Sequence, residues 1–205
     1  MDAKILASDE DVKLTKGQKR RAEIISLGRD LLIDEGYDAF VLRTIAARAA
    51  ITLGNLQYYF PIREDLLEEI VRQEFARSVN TVREANAGLG TAETRLTHMV
   101  HQLLEDWNQT GGRVYAVTFM LALHQERFRH LHKKHYTHFY QAVAEIVQEL
   151  SPKISTNETL KKARLITSMM DGSLFQVALD GRGSRAERKK FDDEIVAAIL
   201  QAVKP

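Results

Sequence analysis

The stretch TIAARAAITLGNLQYYFPIREDLL, Thr44–Leu67, decides the fold of this chain. Its apolar residues recur at helical spacing over about 42–49 and again over about 53–59, which predicts two short helices separated by a tight turn. Helices this short are not stable alone, so they need a neighbouring helix as a platform. Apolar residues of the preceding segment, such as Ile24 and Leu31, can provide it. The stretch therefore predicts a helix-turn-helix arrangement.

The second short helix carries an unusual density of polar and aromatic side chains. In a helix-turn-helix protein this helix lies in the major groove, with residues near its N-terminus facing the base edges. Asn55 and Gln57 can donate and accept at once, as an adenine edge requires. Tyr58 and Tyr59 can reach phosphate oxygens, and Thr52 can cap the helix and direct its free N–H groups toward a phosphate. The composition of this second short helix thus favours a DNA-contacting surface.

The region from about Lys16 to Val71 resembles the DNA-binding motif of the tetracycline-repressor (TetR) family. The family pattern opens with Ile-Ala, continues through Ala-Gly-Val-Ser and Gly-Thr/Asn-Leu-Tyr-Tyr-x-Phe, and closes with Ser-Lys-Glu-x-Leu. The candidate DNA contacts that follow from the residues and the resemblance are Thr44, Thr52, Leu53, Gly54, Asn55, Gln57, Tyr58, Tyr59 and Arg63.

The motif departs from the family pattern at several positions. Ala50 stands where the turn usually has glycine, and Val41 and Ile62 stand where Ser or Thr usually caps a helix. Each missing cap is expected to cost about 1 kcal/mol. Gln57 replaces the usual first tyrosine, so it is the substitution expected to alter base preference. Arg63 replaces a phosphate-binding lysine, keeps its charge and can add a bidentate grip.

Composition excludes some functions. The net charge does not indicate a nucleic-acid partner, so the distribution of charge along the chain has to be examined instead. The chain has 205 residues, no cysteine and a formal net charge of +1, so disulfides, thiolate catalysis and cysteine-ligated zinc are excluded. We expect a cytoplasmic protein without a signal peptide or membrane span. A basic run lies near the N-terminus and comprises Lys13, Lys16, Lys19, Arg20 and Arg21. We expect it either to lie beside the DNA backbone or to form a solvated helix start.

The whole chain is predicted to be all-α, because no segment alternates like a strand. Capping-box spacing marks helix starts at Thr15, Ser155 and Ser184, and Gly36 suits a helix end. The predicted helices are about 16–35, 42–49, 53–59, 63–86, 91–108, 113–124, 126–150, 157–179 and 185–203, with breaks at Gly111–Gly112 and at DGRGS. We expect a helix-turn-helix domain at 1–62 and a larger ligand-binding and dimerisation domain at 63–205.

The larger half shows no convincing catalytic, phosphate or metal motif, and we expect no enzymatic activity and no cofactor. Histidines crowd into 124–138, and His132, His135 and His138 have i, i+3 spacing. Two such side chains can share a metal, although imidazoles more often line a solvated face or satisfy a core hydrogen bond. No carboxylate or cysteine completes a ligand set here, so metal binding stays the lesser alternative.

Aromatic residues of the larger half are expected to form its core for the most part. The TetR resemblance implies, in addition, a pocket for a small inducer, and apolar walls with a few polar groups suit such a ligand. The candidate lining residues are Trp107, Tyr115, Phe119, His124, Phe128, Tyr136 and Phe175.

The last two helices resemble the dimer-forming pair of the family. The apolar stripe of the final helix has to bury itself in its own core or in a partner. The candidate interface residues are Ser168, Gly172, Phe191, Ile195 and Ile199. Asp171 either lies buried near this interface or is a polar anchor of its helix.

The resemblance implies a homodimeric regulator, most often a repressor, that binds a palindromic operator and responds to a small molecule. Two alternatives remain at this point: a helical enzyme or metal-binding protein that uses the histidines, and a helical interaction protein without a DNA role. Bound metal would favour the first, and an absent or salt-insensitive DNA mobility shift would favour the second.

Overall fold

The computed structural model describes residues 14–180 and 184–203, and every regular element within them is helical. In chain order the elements are α1 (Lys16–Ala39), α2 (Leu42–Arg48), α3 (Leu53–Tyr59), α4 (Arg63–Ala87), α5 (Ala92–Asp106), a π-helical turn (Trp107–Gly111), α6 (Gly112–His124), α7 (Glu126–Leu150), α8 (Thr156–Asp180) and α9 (Arg185–Val203). The all-α prediction is confirmed. Lys13 of the basic run and residues 181–183 of the predicted DGRGS break lie outside the described residues.

Side-chain caps begin the helices that the sequence marked. The Thr15 hydroxyl accepts the Gln18 N–H at 3.2 Å, and the Gln18 side chain accepts the Thr15 N–H at 2.8 Å. Equivalent pairs begin α8 at Ser155 and α9 at Ser184. Each pair satisfies two backbone donors that the first helical turn leaves without partners.

The C-terminal part of α1 differs from the prediction. Gly36 has φ +82° and interrupts the helical backbone, as expected for a helix-ending glycine, but helical turns resume and α1 extends to Ala39. A side chain at this φ would be strained, so glycine is required at this kink.

The predicted break at Gly111–Gly112 is wrong. The chain passes from α5 through the π-helical turn directly into α6. A Cβ atom at Gly112 would lie 2.3 Å from Cδ1 of Leu174 and 2.6 Å from the carbonyl oxygen of Trp107. The glycine is therefore explained by the close approach of α8, and not by the end of a helix.

The small helices pack on α1 and α4 as the platform argument requires. Ile24, Leu31, Ile45, Leu56 and Phe60 all lie in one buried cluster. Burying each such side chain contributes about 1.5–3 kcal/mol, so the cluster compensates for the marginal stability of α2 and α3.

Helix α4 connects the two halves of the chain. It packs against α1 on one side and against α5, α6 and α7 on the other. α1 approaches α4 closely at Gly28, where an added Cβ would lie 3.1 Å from Leu66. Within the described part of the chain, no helix is long and apolar enough to span a bilayer.

Candidate nucleic-acid interface and interior pocket

Helix α3 presents its predicted reading face to solvent. The Thr52 hydroxyl accepts the Asn55 N–H at 3.2 Å, so the predicted N-cap is present. Leu56 is fully buried and Phe60 nearly so, which fixes the helix against the core. Asn55, Gln57 and Tyr58 are exposed, and Tyr58 keeps 82% of its surface accessible. The side chains that suit base and phosphate contacts are therefore held on a capped helix whose opposite face is packed on the core.

The remaining candidates at this helix differ in accessibility. Thr52, Leu53 and Gly54 are exposed, and a Cβ added at Gly54 would meet no atom within 4 Å. The backbone at this position is thus open to close approach from outside. Tyr59 is partly buried, with its ring edge-on to Tyr58 at a centroid distance of 5.2 Å. Thr44, on α2, is also partly buried.

Arg63 begins α4 beside this face. Its guanidinium carbon lies 4.7 Å from the centroid of the Tyr37 ring, and its Nε donates to a Glu64 carboxylate oxygen at 2.9 Å. The hydrogen bond to Glu64 raises the pKa of Arg63. A phosphate at this position would therefore compete with Glu64 for the guanidinium.

The basic run at the start of α1 borders an open concavity of about 680 Å³. Lys16 and Lys19 line it together with Thr52 and Asn55 at the start of α3. Both lysines are exposed. Their charges are therefore placed beside the reading face, where a phosphate backbone would pass.

Not all of the basic run faces this concavity. Arg20 lines it but donates to the Glu23 carboxylate at 2.9 Å. Arg21 pairs instead with Glu69 on α4 at 3.0 Å, and its guanidinium lies 4.9 Å from the Phe60 ring centroid. Arg21 therefore ties α1 to α4, which the run of charges in the sequence did not show.

A small aromatic cavity of about 10 Å³ lies inside the larger half, where about one water would fit. Among the predicted lining residues, Trp107, Tyr115 and Tyr136 face it. Sequence reasoning did not assign the other lining residues, which are Phe75, Ser78, Phe139, Thr167 and Asp171. Phe75 and Ser78 come from α4, so the helix that begins beside the exposed face of α3 also forms a wall of the cavity.

Four predicted pocket residues lie elsewhere. Phe119 is 40% exposed, and its ring packs against Phe175 at a centroid distance of 5.7 Å. His124 is exposed at the end of α6, and Phe128 is fully buried in the core. The structure therefore does not bring these residues to the cavity. Aromatic content alone does not reveal which rings line a void and which fill the core.

Hydrogen bonds organise the polar groups of the cavity. The Trp107 indole N–H donates to the Ser78 hydroxyl at 3.2 Å, and that hydroxyl lies 2.9 Å from the Tyr115 hydroxyl. The Tyr136 hydroxyl donates to a carboxylate oxygen of Asp171 at 3.0 Å. Burial raises the pKa of both tyrosines and raises the pKa of Asp171 to about 7. Asp171 therefore belongs to the cavity wall. The sequence had suggested either a position near the dimer interface or a polar anchor of the helix, and neither included the cavity.

Two histidines pack on the same aromatic cluster. The His132 ring stacks on Tyr136 at 4.0 Å, and the His135 ring stacks on Phe75 at 4.8 Å between centroids. Burial lowers the pKa of both, that of His135 to about 4. Across residues 14–180 and 184–203, no group of three or more His, Asp or Glu side chains is placed to hold a metal. Both rings therefore pack against aromatic side chains, an arrangement that the sequence interpretation of a solvated face or a core hydrogen bond did not include.

The candidate dimer residues on α8 and α9 are only partly available to a partner. Ser168 and Gly172 are exposed, and Phe191 and Ile195 are partly buried. Ile199 is fully buried in the core of this chain, so it is not part of an external surface. The face available for association is therefore smaller than the sequence stripe suggested.

Comparisons with known proteins agree with this geometry. Residues 24–70 match the family described as bacterial regulatory proteins, tetR family, and residues 92–203 match the BetI-type transcriptional repressor, C-terminal. The HTH-type transcriptional regulator UidR of Escherichia coli K12 is 24% identical over 200 residues, which cover 92% of this chain and 96% of UidR. The repressor KstR of Mycolicibacterium smegmatis is 34% identical over 97 residues, about half of each chain (47%).

Solved structures show the same fold. Salmonella enterica GusR superposes with a TM-score of 0.74 at 18% identity, covering 93% of this chain and 98% of its own. A Saccharomonospora viridis regulator in complex with choline superposes with a TM-score of 0.73 at 18% identity, covering 89% and 94%. The second family match alone spans more than half of the chain. With its exposed α3 and its all-helical fold, this chain belongs to the TetR family of DNA-binding transcriptional regulators.

Proposed function

We propose that the protein is a homodimeric repressor that binds a palindromic operator and is released by a small molecule. The observation that carries this proposal is the exposed, capped α3, whose amide and hydroxyl side chains lie over buried Leu56 and Phe60. The relative KstR is named a transcriptional repressor, which supports repression over activation. Regulation, and not catalysis, is the role that this arrangement favours.

In the proposed complex α3 enters the major groove by its N-terminal end. Asn55 and Gln57 read base edges, because an amide can donate and accept together and so match adenine. Tyr58 contacts phosphate, and the exposed Lys16 and Lys19 add salt-dependent attraction to the backbone. Residues 1–62 then serve as the DNA-binding unit and residues 63–205 as the regulatory unit.

The proposed dimer forms through α8 and α9. Exposed Ser168 and Gly172 allow close helix approach, and Phe191 and Ile195 supply partly accessible apolar surface. A two-fold axis between the subunits matches an inverted repeat in the DNA, with half-sites about 34–36 Å apart or a multiple of that.

The proposed response to a ligand uses the aromatic cavity. Because the cavity has room for only about one water, a larger molecule has to displace its walls. Those walls include Phe75 and Ser78 on α4, and Trp107 at the start of the π-helical turn. The protein is released from DNA only if the ligand binds the conformation with displaced walls more tightly than the original one. The size of the effect equals the difference between the two binding free energies.

The π-helical turn offers a second connection to the DNA-binding unit. Trp107 faces the cavity, and three residues later the Thr110 hydroxyl accepts a hydrogen bond from Arg29 on α1 at 3.1 Å. Arg29 also pairs with Glu74 on α4. Movement of the cavity wall would therefore reach α1 both through α4 and through this turn.

Selection of bound sequences from random DNA tests the proposal. We expect the wild-type protein to enrich an inverted repeat whose half-site centres are about 10–10.5 base pairs apart, or a multiple of that. The Asn55→Ala variant, which removes an exposed side chain, is expected to lose preference at one position of each half-site. Enrichment of no repeat by the wild-type protein would defeat the proposal. As a DNA-bound regulator it would act in the cytoplasm of a bacterial cell.

A further inference from the structure

The ring of Tyr37 lies beneath the Arg63 side chain at the start of α4. Tyr37 comes directly after the Gly36 kink of α1, and its partly buried ring packs against the main hydrophobic cluster. The central carbon of the Arg63 guanidinium lies over this ring, 4.7 Å from its centroid. This distance is inside the range of about 6 Å over which an aromatic face attracts a cation. A ring that is itself held by the core therefore restrains a long side chain.

The Arg63 guanidinium uses only part of its hydrogen-bonding capacity within the protein. Its Nε donates to a carboxylate oxygen of Glu64 at 2.9 Å. Its two terminal amino groups make no hydrogen bond or ion pair with any residue in 14–180 and 184–203. The Arg63 side chain keeps 38% of its surface accessible. Because terminal amino groups can grip a phosphate bidentately, the donors left over are those that a DNA backbone requires.

The Tyr37 hydroxyl takes no part in this arrangement. Its oxygen is buried and has no hydrogen-bond partner among the described residues. A buried hydroxyl without a partner is unfavourable, so the polar group does not explain the choice of residue. The ring is therefore the part of Tyr37 that acts on Arg63.

We propose that Tyr37 is a positioning residue for DNA binding, whose ring holds the Arg63 guanidinium with its terminal amino groups toward a phosphate. The inference rests on the proposed DNA contact of α3, because Arg63 begins the next helix. Glu64 stays on Nε, where its charge competes with that of the phosphate. A flexible arginine loses rotamer freedom when it binds, and a side chain restrained beforehand loses less. A phosphate contact carries no base information, so Tyr37 adds affinity and not base preference.

Duplex DNA of random sequence is the probe, because a phosphate contact requires no operator. Fluorescence anisotropy with the full-length protein measures the affinity at several sodium chloride concentrations. Arg63→Ala is expected to weaken binding about tenfold at low salt and to reduce the slope of log affinity against log salt by about 0.9. Tyr37→Leu is expected to weaken binding about threefold, with a slope between those of wild type and Arg63→Ala.

A double variant separates positioning from a general structural role. If the ring acts through the guanidinium, its loss does no further harm once Arg63 is replaced. The Tyr37→Leu, Arg63→Ala variant should therefore bind as Arg63→Ala does, whereas independent effects would multiply to about thirtyfold. Tyr37→Phe keeps the ring and is expected to match the wild type in affinity and slope. Tyr140→Leu is the matched control, because it removes a ring of α7 over which Arg164 lies at 5.8 Å, and it should change neither value.

Circular dichroism checks that each variant is folded. Arg63→Lys keeps the test decisive if Tyr37→Leu does not fold, because it leaves the packed ring in place. Lysine retains the charge but lacks the planar fork, so this variant is expected to bind about threefold more weakly with an unchanged salt slope.

The outcomes separate this inference from the proposed repressor. Wild-type affinity in Tyr37→Leu or Arg63→Lys, multiplied losses in the double variant, or a loss in Tyr37→Phe would each overturn the positioning role. Selection of a palindrome by the same preparation would still leave the repressor in place. Conversely, the expected pattern on random DNA without a selected palindrome would support Tyr37 and defeat the repressor. Failure of the wild type to bind any duplex would overturn both.

Discussion

The contact between Arg29 and Glu74 is the first feature that we would perturb. Arg29 on α1 donates to the Glu74 carboxylate on α4, and its guanidinium also reaches Thr110 in the π-helical turn. The Glu74 side chain is only 6% exposed, and that of Arg29 is 23% exposed. Glu74→Gln removes the charge but keeps the volume, and it leaves both Arg29 and Arg77, which also pairs with Glu74, without this counter-ion.

The exposure of the two side chains sets the expected magnitude. Breaking a fully buried ion pair typically costs about 3–5 kcal/mol, because the remaining charge is left unpaired. Here Arg29 keeps some contact with water and its bond to Thr110, so we expect a loss of about 2 kcal/mol. For a chain of this size, that corresponds to a fall in melting temperature of about 4–8 °C. Replacing both residues, by Arg29→Met with Glu74→Gln, leaves only Arg77 without this partner, and because Arg77 is 55% exposed the double variant should recover part of the loss.

Urea unfolding followed by circular dichroism, at one fixed protein concentration, measures these free energies. The four proteins of the cycle should give a coupling energy of about 1–2 kcal/mol. Glu23→Gln is the matched control, because its pair with Arg20 is 2.9 Å long but exposed, and it should change stability by less than about 0.5 kcal/mol. If the two substitutions add to within about 0.3 kcal/mol, this contact does not couple α1 to α4.

Three further predictions concern single positions. Thr52→Ala removes the acceptor for the Asn55 N–H and should lower the free energy of unfolding by about 1 kcal/mol in urea titrations; an unchanged value would show that the cap is dispensable. Ala50 has φ +52°, so Ala50→Gly should relieve strain and, after the entropy of glycine is subtracted, raise stability by about 0.5 kcal/mol; a loss of stability in the same assay would contradict this. Asp171 has its pKa raised from 3.8 to about 7 in the folded protein, so the folded state binds more protons between these values, and stability should fall by about a few kcal/mol as pH rises through that range. Asp171→Asn should remove this fall, and parallel pH profiles for both proteins would refute the assignment.

The N-terminal half was predictable because local chemistry determines most of it. Thr52 is of a residue type that caps helices and stands directly before α3. Leu56 and Phe60 share the inward face at helical spacing, whereas Asn55 and Gln57 fall on the outward face. The starts of α1, α8 and α9 were also placed within a few residues, since their capping residues are explicit in the sequence. Arg21 shows the limit of such reasoning, because its partner Glu69 lies on another helix.

The larger, C-terminal half was less predictable because its features depend on tertiary contacts. Gly112 resembles a helix breaker in sequence, yet it is there because Leu174 of α8 leaves no room for a side chain. Asp171 faces the cavity only because α8 packs against α7, where Tyr136 donates to it. Phe128 and Trp107 are both buried aromatic residues, and only their packing shows that Trp107 borders the cavity.

The central claim is that α3 reads base edges in the major groove. The contribution of the Gln57 side chain to base discrimination tests this claim most directly. Gln57 is exposed on α3, and Gln141, which is also exposed and lies on α7, serves as control. Fluorescence anisotropy would measure the affinity of each alanine variant for the selected operator and for operators altered at each half-site position. We predict that Gln57→Ala loses about 1–3 kcal/mol of discrimination at one position and little at the others, while Gln141→Ala matches the wild type. Unchanged discrimination at every position in Gln57→Ala would contradict the account, because α3 would then not read the base edges through this side chain.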